Sequence, residues 1–177
     1  EIIVRPPAKR AFEPSENSIV GNTVMYGATG GTLCANGRAG ERFCVRNSGG
    51  TAIVEGIGDH GCEYMTNGLV VILGPTGVNF GAGMSGGRAF IYDTEYIFEK
   101  TYNPEMVEIV RVDHDSQDEA DLKKLVYQHL EYTDSARAKE ILDDWDTARQ
   151  KFWLVRPKST VADAPAIAKT EKAAAAK

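Results

Sequence analysis

The placement of glycine limits this fold more than any other feature. All 18 glycines lie between Gly21 and Gly87. A helix loses about 1 kcal/mol at each glycine relative to alanine, so this stretch must turn often instead of coiling into helices. The turns are periodic. Thr29-Gly30-Gly31-Thr32-Leu33-Cys34, Ser48-Gly49-Gly50-Thr51-Ala52-Ile53, Thr66-Asn67-Gly68-Leu69-Val70-Val71 and Ser85-Gly86-Gly87-Arg88-Ala89-Phe90 align without gaps. Their anchors, Gly31, Gly50, Gly68 and Gly87, are spaced 19, 18 and 19 residues apart. Further glycines recur at Gly37, Gly56 and Gly74, and at Gly21, Gly40, Gly58 and Gly77.

Such a period predicts a β-solenoid whose coils each hold three short strands and three corners. Glycine would supply positive φ at the corners, and the flanking Ser or Thr would bond freed backbone groups. Ala52-Ile53-Val54 and Val70-Val71-Ile72-Leu73 supply β-branched bulk for the interior. Ile2-Ile3-Val4 fits the same strand position as Leu33-Cys34-Ala35, with Pro7 to Ser18 as a surface insert.

After Thr94 the pattern changes. Tyr96-Ile97-Phe98 and Val107 to Val112 read as short strands. Ser116-Gln117-Asp118-Glu119 reads as a capping box. The helix it opens has Leu122, Leu125, Val126 and Leu130 on one face. Thr133 or Asp134 should cap a second helix carrying Ile141, Leu142, Trp145, Ala148 and Phe152. A helical hairpin of this kind would close one end of the coil. The expected organisation is a β-helix over 1–113 with repeats at 21–93, a helical cap over 114–156, and a disordered Ala/Lys tail over 157–177.

Charge narrows the partners. A net charge of −5 argues against nucleic acid or an anionic membrane as a partner. No apolar run nears the roughly 18 residues of a membrane span. With no signal peptide in view, the expected location is cytoplasmic. The start at Glu1, inside a strand-like run, reads as a piece of something longer. Cys34, Cys44 and Cys62 are odd in number and unpaired in spacing, which suits reduced core thiols better than a disulfide framework or a metal site.

Two segments match GxGxxG, Gly56 to Gly61 and Gly81 to Gly86. A dinucleotide site needs a helix to start there, and neither segment is followed by one. Asp59, His60, Cys62 and Glu63 are potential ligands too close in sequence to converge on one ion. Asp59 is better placed to bond backbone at its corner, and His60 to bridge coils. Glu41, Glu55 and Glu63 could pair with Arg42, Arg46 or Arg88 between coils. The residues therefore predict no catalytic, cofactor-binding or metal-binding site.

The wording between the glycines resembles a known module. Tyr26 to Gly31, Gly40 to Gly49, Glu55 to Thr66 and Ala82 to Gly87 are similar to the C-terminal GXGXG domain of the glutamate synthase large (alpha) subunit. Leu125 to Leu130 and the Trp145 helix extend the likeness over roughly residues 1–156. The resemblance implies a right-handed, single-stranded β-helix that is a structural part of an oxidoreductase. It implies a parent that hydrolyses glutamine in an amidotransferase domain and passes ammonia through a tunnel to an FMN synthase domain. There ammonia and 2-oxoglutarate give glutamate. A [3Fe-4S] cluster would bring electrons from a small FAD subunit oxidising NADPH, or from ferredoxin. The implied partners are the amidotransferase and FMN synthase domains and that small subunit. None of those cofactors is expected in this chain. Two other readings are a glycine-rich β-helix component related to that of formylmethanofuran dehydrogenase, and a carbohydrate-binding β-helix. The second would want an aromatic ladder, which the six aromatics from Tyr26 to Tyr92 do not form.

Overall fold

The computed structural model describes residues 1–159. Seven strands form one mixed sheet: β1 (Ile2–Val4), β2 (Thr32–Ala35), β3 (Ser48–Val54), β4 (Asn67–Ile72), β5 (Arg88–Tyr92), β6 (Val107–Arg111) and β7 (Phe152–Pro157). Their order is β1-β2-β3-β4-β5-β7-β6. The first five strands are parallel, one from each coil of the solenoid, as the repeat predicts. β7 and β6 pair antiparallel at the far side. Each coil thus contributes one regular strand, not the three expected.

Apolar runs in the strands have a simple cause. Successive side chains point to opposite faces, and both faces are buried. Leu33, Ala52, Val70 and Ala89 are in register and face the solenoid interior. There they meet Phe43, Cys62, Met65, Phe80 and Met84. Cys34, Ile53, Val71, Phe90 and Leu154 are in register on the opposite face. This outer row needs a cover, and three helices provide it: α1 (Gln117–Thr133), α2 (Ala136–Asp143) and α3 (Trp145–Arg149). Leu122, Leu125, Val126, Ile141 and Trp145 pack onto the row. Burying each large apolar side chain contributes about 1.5–3 kcal/mol.

The helices therefore lie against the sheet face and do not plug the end of the coil. The last coil is closed by the segment from Phe98 to Asn103. Phe80 N donates to Thr101 O, Asn103 N donates to Phe80 O, and the Phe80 and Phe98 rings meet edge to face at 5.5 Å. Tyr96-Ile97-Phe98 forms no strand. It is a turn leading into a 3-10 helix, Phe98–Lys100. Buried Asp93 fixes the turn by accepting from Ile97 N, Phe98 N and the Trp153 indole.

Ser116 caps α1 as its spacing predicts, accepting from Glu119 N at 3.1 Å. The cap of α2 is Ser135, not Thr133 or Asp134; Asp134 instead ends α1 with φ 56. Phe152 belongs to β7, not to a helix face. The tail expected over 157–177 starts inside the fold, since Pro157 ends β7 and Lys158 N donates to Met106 O at 3.0 Å; from residue 160 it lies outside the described residues.

Candidate functional site

Between the strands the coils run through an unusual backbone. Every second residue sits in the left-handed region, in columns that repeat from coil to coil. Thr23, Arg42, His60 and Asn79 form one column, with φ 64, 60, 65 and 60. Met25, Cys44, Cys62 and Gly81 form the next, and Gly27, Arg46, Tyr64 and Gly83 the third. Most of these positions are not glycine, contrary to the expectation that glycine would carry the positive φ. Hydrogen bonds between coils hold the conformation: Arg42 N to Asp59 O, Cys62 N to Phe43 O, and Arg46 N to Glu63 O, each 2.8 Å. Among the anchors, Gly31, Gly68 and Gly87 have positive φ and Gly50 does not.

Both GxGxxG segments fall in these coil walls. In the first, Gly58 N donates to Gly40 O, and in the second, Gly81 N donates to Gly61 O, each a backbone carbonyl of the preceding coil. Neither segment opens a helix. The helix start that a pyrophosphate site requires is therefore missing from both segments.

The Asp59, His60, Cys62 and Glu63 group splits apart. Asp59 Oδ1 accepts from Val78 N at 2.8 Å, the backbone role its position predicts. His60 Nδ1 lies 2.8 Å from Glu63 Oε1, which also accepts from Asn79 Nδ2 on the next coil. Asn103 Nδ2 continues the chain to Asn79 Oδ1 at 2.9 Å. Cys62 points inward and is fully buried. Glu63 thus pairs with His60 and Asn79 rather than with an arginine. Arg88 turns to the helices, donating to Asp118 and, at 2.7 Å, to Asp121.

The thiols do not converge. Cys34 lies on the helix side of the sheet, and Cys44 and Cys62 lie inside the solenoid. Burial, aided by the nearby Glu1 carboxylate, pushes the Cys34 thiol up to about 11. Burial raises Cys44 well above the usual thiol range, with Cys62 adding to it, and burial raises Cys62 as well. An iron-sulfur cluster needs thiolates meeting at one point, so these residues do not fit one.

Two further polar groups come together only through folding, and in the first Glu55 meets Ser135 and His129 rather than the arginine expected between coils. Glu55, His129, Asn36 and Ser135 are all buried at the junction of sheet and helices. Ser135 Oγ donates to Glu55, whose Oε1 is 3.5 Å from His129 Nε2, and Asn36 Nδ2 donates to Thr133 O at 3.0 Å. Ser135 is thereby a cap and a tie to β3 at once. The signal in sequence is slight: a carboxylate directly after the apolar run Ala52-Ile53-Val54. The second group is His114, Asp115 and Glu119. Burial opposes ionisation of Glu119, yet hydrogen bonds from the Trp145 indole, Asp115 N and His114 hold its carboxyl below the usual range. These donors saturate it as a helix-start anchor.

A parallel-sheet solenoid with buried thiols, glycine-rich coil walls and a covering helical layer defines a glycine-repeat β-solenoid domain. The comparison with known families agrees: the family model described as the GXGXG motif matches residues 1–158, and the chain belongs to that family. It is 50% identical over 159 residues to ferredoxin-dependent glutamate synthase 2 of Synechocystis, covering 90% of this chain and 10% of that protein. It is 50% identical over 157 residues to the NADH glutamate synthase of Schizosaccharomyces pombe, covering 89% and 7%. Against the ferredoxin-dependent glutamate synthase of Pyropia yezoensis it is 48% identical over 158 residues, covering 89% and 10%. The chain thus spans about a tenth of the length of these relatives, which are oxidoreductases. No helix among the described residues is long and apolar enough to cross a membrane.

Proposed function

We propose that this chain is a non-catalytic structural domain of a glutamate synthase, holding an amidotransferase domain and an FMN synthase domain in register. On this reading residues 1–113 are the scaffold and 114–156 its helical cover. The parent would convert glutamine and water to glutamate and ammonia. Ammonia would then pass internally to 2-oxoglutarate, and two electrons and two protons would yield a second glutamate and water. Electrons would come from FMN, a [3Fe-4S] cluster and either ferredoxin or a small FAD subunit, all outside this chain, in the cytoplasm.

The observation that carries the reading is the state of the reactive side chains. Three thiols are buried with raised pKa values, and the carboxylates of Asp59, Glu63, Asp93 and Glu119 are each engaged by structural donors. Such an arrangement supports a frame, and among these described side chains no nucleophile is poised.

The test uses the full-length synthase. Glu63→Gln should leave turnover within about twofold, while Gly50→Val should raise the glutamine hydrolysed per glutamate formed. A hundredfold loss of turnover in a folded Glu63→Gln protein would assign chemistry to this domain. An unchanged ratio in Gly50→Val would remove the coupling role.

A further inference from the structure

Two of the left-handed columns carry exposed side chains whose polar ends have no partner among the described residues. In one, Gly27, Arg46, Tyr64 and Gly83 adopt the same conformation, with φ 62, 56, 55 and 67. Glycine fills the outer coils, where it meets no steric penalty. In the middle coils Arg46 and Tyr64 stand in the same geometry, which disfavours a Cβ. Both are exposed, Tyr64 by 56%. In the neighbouring column His60 and Asn79 are engaged through Glu63, but exposed Arg42 is not. Among the described residues neither Arg42 nor Arg46 has a carboxylate partner, and neither guanidinium makes a hydrogen bond. Exposed Tyr26 lies on the preceding coil.

We propose that this ridge, centred on Arg42, Arg46 and Tyr64, docks a carboxylate-bearing segment of another domain of the same glutamate synthase chain. The proposal rests on the structural reading above and adds the surface through which it works. A guanidinium fork fits a carboxylate with two parallel hydrogen bonds. Arginine and tyrosine are the residue types that most often anchor interfaces. The inter-coil bonds at Arg42 N and Arg46 N fix the backbone beneath both side chains, so docking orders the side chains alone. In the relatives the domain is 7–10% of a continuous chain. Covalent tethering gives the neighbouring domains a high effective concentration at this face.

The experiment is zero-length cross-linking in the full-length synthase. Arg42→Lys and Arg46→Lys place a primary amine at each site, and a carbodiimide joins it to any carboxylate in contact. Peptide mapping should find amide links to Asp or Glu outside this domain in the same chain, with at least a threefold loss of yield in 1 M salt. Links only to Glu41 or Glu63, links to the acidic helices of a second copy, or no links would each overturn the proposal. In addition, Arg46→Gly should speed amide exchange across residues 42–46 and 60–64 in the full chain; unchanged exchange would count against docking. The Gly50→Val coupling ratio tests the structural reading independently, so either idea can fail alone.

Discussion

The Glu55 carboxylate lies 3.5 Å from His129 Nε2, with the two side chains 1% and 0% exposed. One comes from the end of the β3 coil and the other from α1, so the pair ties the solenoid to its helical cover. Ser135 completes the tie from the start of α2. Replacing Glu55 with Ala would leave the buried Ser135 hydroxyl without its acceptor and strip the carboxylate from beside His129 Nε2. The expected loss is about 3 kcal/mol, read as a lower urea midpoint. In a cycle with His129→Leu, the double variant should lose less than the sum of the single variants.

Gly50 and Gly31 occupy the same repeat position for different reasons. A Cβ on Gly50 would lie 2.7 Å from Met25 Cε and 3.0 Å from the Ala28 Cβ. Gly31 has open space around it but φ 84. Gly50→Val should therefore cost about 2–3 kcal/mol through overpacking. Gly31→Ala should cost about 1 kcal/mol through backbone strain alone. Shortening Met25 to Ala should rescue part of the first and none of the second in thermal melts.

Acid should loosen the helical layer. Arg88 holds the Asp121 carboxyl below its ordinary value, and the donors named above do the same for Glu119 despite its burial. Because the folded pKa values are lowered, the native state binds fewer protons than the unfolded state. Their stabilisation is complete above the ordinary carboxylate value of about 4 and is lost as pH falls through the lowered values. Arg88→Met should cost about 1 kcal/mol or less at pH 7, since the pair is partly exposed, and should flatten the decline below pH 4. Urea titrations at pH 7, 4 and 3 measure both effects.

The three thiols should be silent in the native protein. A thiol reagent such as Ellman's should label none of Cys34, Cys44 and Cys62 within minutes at pH 8, and all three in 6 M guanidinium chloride. Labelling of Cys44 without unfolding would contradict the packed interior.

Much of the solenoid was legible because its period is written in residues whose chemistry demands it. The parallel ladder pairs Ile2-Ile3-Val4 with Leu33-Cys34-Ala35 as their patterns predict. The α1 cap at Ser116 was legible for the same reason. What stayed hidden was the alternating left-handed backbone at Arg42, Cys44 and Arg46, because inter-coil hydrogen bonds override the ordinary preference of these residues. Phe152 fits a helical spacing and was drawn into β7 only by the free edge of β5. The position of the helices was written in the strands: apolar residues at both Ala52 and Ile53 require cover on both faces. Of the site chemistry, the role of Asp59 could be read from its corner, whereas Glu55 and His129 are 74 residues apart and meet only through folding.

The parallel ladder from β1 to β5 has one more consequence. Neighbouring strands are spaced by about 4.8 Å, so four steps span about 19 Å. A change of fewer residues than a full period would shift every column out of register. Gain or loss of 18 or 19 residues would keep register and move the far end by one strand spacing. The solenoid is a ruler whose length can change only in whole graduations.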